Sequence, residues 1–523
     1  MTDGRMTVRE ATLALLRAHG MTTIFGNPGS TELPMFRDFP SDFRYILGLQ
    51  ESVVIGMADG YAQATRRPAL VNLHSAAGVG HALGNIFTAW KNRTPLVVTA
   101  GQQARSILPF DPFLFAQDAV QFPKPYVKWA IEPARAEDVP AAIARAYHIA
   151  LQPPCGPTFV SVPVDDWDRL CDPVEIRRLG QARPGDPALL DEAALALAQA
   201  DRPALVVGAG VALDGAWDAV VALAERHEAR VFVSPHSARN SFPENHRLFA
   251  GHLPAFREPI VARLAGHDLI LLLGAPLFTY HAEGFGPHLP EGATAWQIVE
   301  DPDQASWSPT GTAIVGTIKA SVERLLAGPA PRPRAPVAAA PRPDPLPATG
   351  ALTDAFLMQR IAALRPADSK LVEEAPSSRG AMQAHLPTTR PDEFYTTASG
   401  GLGHGLPAAV GVALGSRGIR TIALIGDGSA MYAIQALWSA AQLGVDLAVI
   451  IVNNARYEAL INFGRAFGLQ ETVGTRLPAI DFVALAQGQG VPAARVDSSD
   501  ALDAALADMF AATGPRLLEV VVD

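Results

Sequence analysis

The stretch TIALIGDGSAMYAIQALWSAAQLGVDLAVIIVNNARY, Thr421 to Tyr457, decides how the chain folds. Its apolar run 421–425 has the length and composition of a buried strand. The segment after Gly428 has helical spacing, and DLAVIIVN is a second buried strand, so the whole predicts one βαβ unit filled by one helix. Gly426-Asp427-Gly428 then stands at the carboxyl end of the first strand. There the following helix offers free backbone N–H groups and the positive end of its dipole, which makes a cradle for a diphosphate.

A lone Gly-Asp-Gly is a common turn, and so is Asn-Asn. Their pairing carries more. Only 24 residues separate Gly428 from Asn453, so Asp427 and Asn454 reach the same edge of the sheet, where open α/β sheets bind ligands. A carboxylate beside a diphosphate makes sense if a hard cation bridges them. Magnesium takes about six oxygens, and this unit offers Asp427 Oδ, Asn454 Oδ and the backbone carbonyl of Arg456. Diphosphate oxygens and water would complete the shell.

Outward from this unit, short apolar runs alternate with amphipathic helical stretches in both directions, the pattern of parallel sheets covered by helices. The expected fold class is α/β with three parallel-sheet domains. Residues 1–173 form the first, with strands in TTIFG, RYILGL, ALVNLH and PLVVTA. Residues 185–327 form the second, with strands in PALVVGAG, ARVFVSP, DLILLLG and TAIVG. Residues 328–348, GPAPRPRAPVAAAPRPDPLPA, are too rich in proline for helix or sheet and predict an extended linker. Residues 349–523 form the last domain, including KLVEE, TIALIG, DLAVIIVN and RLLEVVV. The first and last domains share a strand, glycine turn, helix logic.

Composition narrows the function. The 523 residues carry 49% hydrophobic and 18% charged residues, an ordinary globular balance. A formal net charge of −10 offers no basic face for nucleic acid. Two cysteines, Cys155 and Cys171, make neither a disulfide framework nor a thiolate metal cluster, which favours a reducing, cytoplasmic compartment. The N-terminal MTDGRMTVREATLALLRAHG reads as an amphipathic helix lacking a signal peptide's apolar core. LILLLGAPLF, among the most apolar runs, is about half the length needed to cross a bilayer, so no membrane partner is expected. GAGVALDG has Gly208, Gly210 and Gly215 at the wrong spacing for a dinucleotide loop, and reads as a structural turn.

The Gly-Asp-Gly to Asn-Asn block is the signature of thiamine-diphosphate enzymes. The likeness extends through FGNPGSTELP, FRYILGLQESVVIGMADGYAQA, VNLHSAAG, PLVVTAGQQ, VPVDDWD, GAPLFTYH and ASGGLGHGLPAAVGVAL. These segments resemble the benzoylformate decarboxylase branch of the thiamine-diphosphate-dependent 2-oxo acid decarboxylases. The resemblance implies thiamine diphosphate and Mg2+ as cofactors and a small 2-oxo acid as substrate. It implies a homodimer at least, a homotetramer usually, with active sites formed between subunits.

On that resemblance Glu51, between a strand end and an apolar helix, would bond the cofactor's aminopyrimidine and promote formation of the reactive carbanion; alone it could be a helix N-terminal acid. His74 and His281, both after strands, match the family's proton-transfer histidines. Ser30 matches a serine that contacts the substrate carboxylate, although a serine before TELP could also cap a helix. Leu402 would enforce the cofactor's bent shape and Gly400 would accept from its 4-amino group. Ser377, Gly428 and Ser429 are candidate diphosphate donors, with Tyr432 packing nearby.

Four positions depart from the family pattern. Thr396 stands where an aromatic wall is expected, Pro376 replaces a small polar residue, and Ala455 and Glu458 replace glycines. These lie where the substrate's side chain would rest. Three functions are therefore open: decarboxylation of an aryl or branched 2-oxo acid, carboligation of the acetolactate synthase kind, and a non-catalytic scaffold. Retention of Glu51, Asp427 and Asn454 argues against the last.

Overall fold

The computed structural model describes residues 5–347 and 351–523. The linker's last residue, Ala348, the first two residues assigned to the last domain, 349–350, and residues 1–4 of the first lie outside the described residues.

Three six-stranded parallel sheets follow one another along the chain, as the alternating pattern predicts. A short antiparallel ladder of β1 (Met6–Thr7) and β8 (Leu170–Cys171) ties the start of the first unit to its end. Between them lie β2 (Thr23–Gly26), β3 (Arg44–Leu47), β4 (Ala69–Leu73), β5 (Leu96–Gln102), β6 (Ala130–Ile131) and β7 (Thr158–Pro163), ordered β3-β2-β4-β5-β7-β6. The middle sheet has β9 (Pro203–Val207), β10 (Arg230–Val233), β11 (Phe249–His252), β12 (Leu269–Leu273), β13 (Thr294–Val299) and β14 (Thr312–Val315), ordered β11-β10-β9-β12-β13-β14. The last has β15 (Lys370–Glu374), β16 (Phe394–Thr396), β17 (Thr421–Gly426), β18 (Leu447–Asn453), β19 (Ala493–Val496) and β20 (Arg516–Val521), ordered β16-β15-β17-β18-β20-β19. The first and last sheets therefore share one topology. The middle sheet has the order of dinucleotide-binding folds.

At the switch point of that middle sheet two glycine turns pack directly against each other. A Cβ on Gly210 would meet Gly274 Cα at 2.6 Å, and one on Gly208 would meet the Gly274 carbonyl at 2.6 Å. The Gly208 and Gly210 amides donate to the Leu273 and Gly274 carbonyls across the gap. Here the glycines pack two turns together, as the spacing of GAGVALDG implies.

One correction concerns the opening motif. In place of one helix between β17 and β18 there are two, Asp427–Met431 and Ala436–Leu443. The break falls where Tyr432 packs on the loop that carries Leu402: a Cβ on Gly403 would meet Tyr432 Cβ at 2.7 Å. The linker is extended through residue 347, as its prolines require. Arg334 pins it by donating to the carbonyls of Leu197, Ala198, Ala200 and His227 at the ends of two middle-domain helices.

The first and last domains share one hydrophobic core through helices Glu51–Thr65 and Gly405–Gly415. They approach so closely that a Cβ on Gly60 would lie 2.0 Å from the Ala408 carbonyl, and one on Gly411 2.0 Å from that of Met57. Any larger residue at either position would force the helices apart. No helix among the described residues is long and apolar enough to cross a membrane.

Candidate cofactor and catalytic site

Parallel pairing of β17 with β18, Gly426 opposite Val452, brings Asp427 and Asn454 to adjacent strand ends. Asp427 is 5% exposed. Its Oδ1 accepts the Gly428 amide at 2.7 Å, while Oδ2 is buried without a hydrogen-bond partner. Burial raises the proton affinity of this carboxyl, and the amides of Gly428, Ala455, Arg456 and Asn454 offset part of that rise. A buried carboxylate oxygen without a donor is costly, and a cation is the partner that would relieve it. The residues therefore fit a magnesium site. Among the described residues no cluster of three or more His, Cys, Asp or Glu exists that could hold a metal; Asp427, Asn454 and the Arg456 carbonyl would offer one carboxylate with neutral oxygens, a set that hard Mg2+ accepts.

Asn454 Oδ1 accepts the Arg456 amide at 3.2 Å, which steadies the turn. The Arg456 side chain turns to Glu458, Nε to Oε2 2.6 Å, so only its backbone carbonyl would be available to a cation. Ala455 has φ 54°, a left-handed conformation that glycine would adopt without strain. Glu458, the other glycine replacement, is held between Arg456 and Arg465.

Gly428 is buried beneath Tyr457, whose ring would stand 2.2 Å from a Cβ there. Ser429 is buried beside it. Ser377, exposed after β15, accepts the Ala459 amide at 3.2 Å and keeps its own proton to donate. Tyr432 is 60% exposed at the rim. Gly400 has φ 72° in an exposed turn and Leu402 is half-buried. Their loop is fixed from two sides. Glu374 accepts the Gly403 and His404 amides at 2.7 and 2.8 Å and also that of Gly405, while Asn85, Thr88 and Asn92 of the first domain bond Gly403, Ser399 and Ala398.

In the first domain, Glu51 opens its helix behind the N-cap Gln50. Its Oε2 lies 3.2 Å from His81 Nδ1 and its Oε1 3.4 Å from Asn27 Nδ2, partners in its own domain. His74 precedes the helix Ser75–Lys91, with Nδ1 2.9 Å from Glu32 Oε2 and 3.1 Å from Thr31 Oγ1. Ser30 is exposed and caps no helix: the short turn Leu33–Phe36 has Glu32 at its N-cap position. His281 is exposed in the middle domain, its ring 4.4 Å from Phe463 and 5.5 Å from His236. The structure thus brings His281 to the last domain's helix Glu458–Ala466, beside the Asn454 turn.

Thr396 is buried. Its hydroxyl bonds Glu373 Oε2 at 2.8 Å and accepts from Arg379 Nη2 at 2.9 Å. Sequence reasoning passed over Glu32, Glu374, Arg379 and His81. A carboxylate at the end of an apolar strand, as in KLVEE, is the one local signal that points to Glu374; Glu32 and His81 pair with residues 42 and 30 positions away, and Arg379, although only six residues from Glu373, follows a turn with no regular period.

Comparison with known proteins identifies the family. Residues 6–121 match the N-terminal TPP binding domain of thiamine pyrophosphate enzymes, 190–325 the central domain and 376–520 the C-terminal TPP binding domain. The chain is 44% identical over 521 residues to benzoylformate decarboxylase of Pseudomonas aeruginosa, covering 98% of each. Among solved structures it superposes with TM-score 0.96 on a thiamine diphosphate-dependent 4-hydroxybenzoylformate decarboxylase of Rhodococcus jostii, 41% identical, covering 99% of each chain. It superposes equally, TM-score 0.96, on benzoylformate decarboxylase from Polynucleobacter necessarius, 38% identical, covering 99% of this chain and 98% of that one. Three matched domains in the right order and a full-length relative lead to one conclusion: the chain belongs to the thiamine pyrophosphate enzyme family, in its benzoylformate decarboxylase branch.

Proposed function

We propose that this protein is a thiamine-diphosphate- and magnesium-dependent decarboxylase that converts an aryl 2-oxo acid of the benzoylformate type to the aldehyde and CO2. The observation that carries the reading is the unpartnered, buried Asp427 Oδ2 beside Asn454, in a chain 44% identical to a benzoylformate decarboxylase.

Asp427, Asn454 and the Arg456 carbonyl would hold Mg2+, and Ser377, Gly428 and Ser429 would face the diphosphate. Leu402 and the Gly400 carbonyl would set the cofactor's shape, and Glu51 would bond its aminopyrimidine. When bound, thiamine diphosphate supplies the electron sink that takes up the electron pair released with CO2. Ser30 would orient the substrate carboxylate. His74, held at Nδ1 by Glu32, presents Nε2 for proton transfer, and His281 approaches from the middle domain. Glu51, Ser30 and His74 belong to one domain and the cofactor-holding groups to another, so the site lies between domains, and the family resemblance implies that a second copy of the chain completes it.

The test is CO2 release from benzoylformate, phenylpyruvate, pyruvate and branched 2-oxo acids, with thiamine diphosphate and Mg2+ supplied or withheld. Cofactor-dependent turnover of benzoylformate is expected. Bound cofactor without CO2 release from any acid would overturn the reading, and new carbon–carbon bonds from pyruvate would replace it with carboligation.

A further inference from the structure

Between the middle and last domains lies a cavity of about 260 Å³ whose lining includes His236, Arg379 and Thr396. It adjoins the candidate site on two counts. His236, on its wall, has its ring 5.5 Å from that of His281. Thr396 ends β16, and Arg379 follows the turn after β15, so both stand at the same sheet edge as Asp427 and Asn454. Since β16 is two strands from β17, this wall lies about 10 Å along the edge from the cation position. A substrate reacting near His281 would extend its far end toward it.

The wall is polar, and its hydrogen bonding is incomplete. Glu373, 1% exposed, accepts the Ala375 amide at Oε1 and, at Oε2, Arg379 Nη2 at 2.6 Å, Arg379 Nε at 3.1 Å and the Thr396 hydroxyl. Every Glu373 oxygen is therefore occupied. Arg379 Nη1 has no hydrogen-bond partner among the described residues, and the side chain lines the cavity. From these contacts we propose that Arg379, fixed by Glu373 and Thr396, is a specificity-determining residue that donates to a neutral oxygen substituent, such as a ring hydroxyl, at the far end of the 2-oxo acid. This rests on the decarboxylase reading above and narrows its substrate class.

Charge explains why the substituent is neutral. The Arg379 guanidinium is matched by Glu373 and that of Arg239, also on the wall, by Asp392, while Glu244 adds a negative charge beside His252; burial, with Arg379 and His281 adding to it, holds His236 below its ordinary proton affinity and so uncharged. An anionic substituent would find no net positive charge to offset its desolvation. An apolar one would leave the Nη1 donors unpaired. A site built to hydrogen-bond a substrate hydroxyl discriminates against an analogue lacking it far more strongly than an apolar pocket discriminates by size.

The experiment compares kcat/KM for 4-hydroxybenzoylformate, 4-methylbenzoylformate and 4-carboxybenzoylformate on the cofactor-loaded enzyme, with benzoylformate as the reference. The hydroxyl and methyl groups are close in size, so their ratio isolates the hydrogen bond. The wild type is expected to favour the hydroxyl compound by about tenfold or more. R379M should bring that ratio near unity, and so should E373Q/R379M, which avoids stranding a buried carboxylate. A wild-type preference for the methyl or carboxyl compound would overturn the proposal whether or not either variant folds, as would an unchanged ratio in both variants. Failure to turn over benzoylformate itself would instead count against the decarboxylase reading.

Discussion

His74 Nδ1 lies 2.9 Å from Oε2 of Glu32, a carboxylate 1% exposed that also accepts the Gly29 and Gly101 amides at 2.9 Å each. With its remaining acceptor positions taken by those amides and the Thr31 hydroxyl, Glu32 can hold the ring in one orientation with the proton on Nδ1, leaving Nε2 available to exchange a proton. E32Q keeps the shape of the carboxylate but can turn its amide N–H toward the ring. It should lower kcat about tenfold or more while thiamine diphosphate binding stays intact, and H74A should cost about 10²-fold or more. Steady-state kinetics beside cofactor titration checks this; equal kcat in E32Q and wild type would show that Glu32 does not position the ring.

Asp427 ties the cation site to pH. Burial raises its proton affinity above the ordinary 3.8, so in the metal-free protein the ionised form costs stability once pH rises through that raised value. Magnesium competes with the proton, and its affinity should therefore increase with pH across the same interval. D427N should stabilise the metal-free protein at neutral pH, by roughly 1 kcal/mol, and abolish the rise in Tm that Mg2+ with thiamine diphosphate gives the wild type. Thermal unfolding with and without Mg2+ measures both effects.

Asp59 and His404 form a buried pair, Oδ2 to Nε2 2.7 Å, joining the helix that begins with Glu51 to the loop that carries Leu402. Burial alone would push His404 down and Asp59 up, but their mutual attraction prevails: His404 lies above its ordinary 6.5 and Asp59 below its ordinary 3.8. The pair's stabilisation is thus complete between about pH 4 and 6.5. It is lost as pH rises through the raised His404 value, and also as pH falls through the lowered Asp59 value. H404A leaves the buried Asp59 carboxylate without its cation and should destabilise by about 3–5 kcal/mol, whereas D59A lets His404 shed its proton and should cost less. The pH dependence of unfolding in D59N/H404F should be flatter on the alkaline side than that of the wild type.

The division of the site between domains gives a test of assembly. E51Q and D427N should each be nearly inactive. A hybrid of the two, isolated with distinct affinity tags, has one fully wild-type site if Glu51 serves the partner's cofactor. Its expected activity is about half that of the wild-type dimer. Activity no greater than that of either parent would place each site within one chain.

Much of this protein was legible before any tertiary structure. The period of apolar residues marks the parallel sheets, because a strand buried on both faces needs a continuous apolar run. The Asp427–Asn454 pair was legible too, because neighbouring parallel strands in register must end side by side. The helix break at Tyr432 was not, since it depends on where a distant loop packs.

The sequence by itself determined the fold class, the two strand ends that could hold a cation and the resemblance carried by its motifs. The first two rest on local periodicity within neighbouring strands and helices, and the third on short motifs read each in its own place along the chain. Only the tertiary structure decided that Glu32 holds His74, that Asp59 meets His404 across 345 residues and that Arg379 lines a cavity beside His281. Such pairs are made by the packing of helices and sheets far apart in the chain, and no local pattern specifies which side chains that packing brings together.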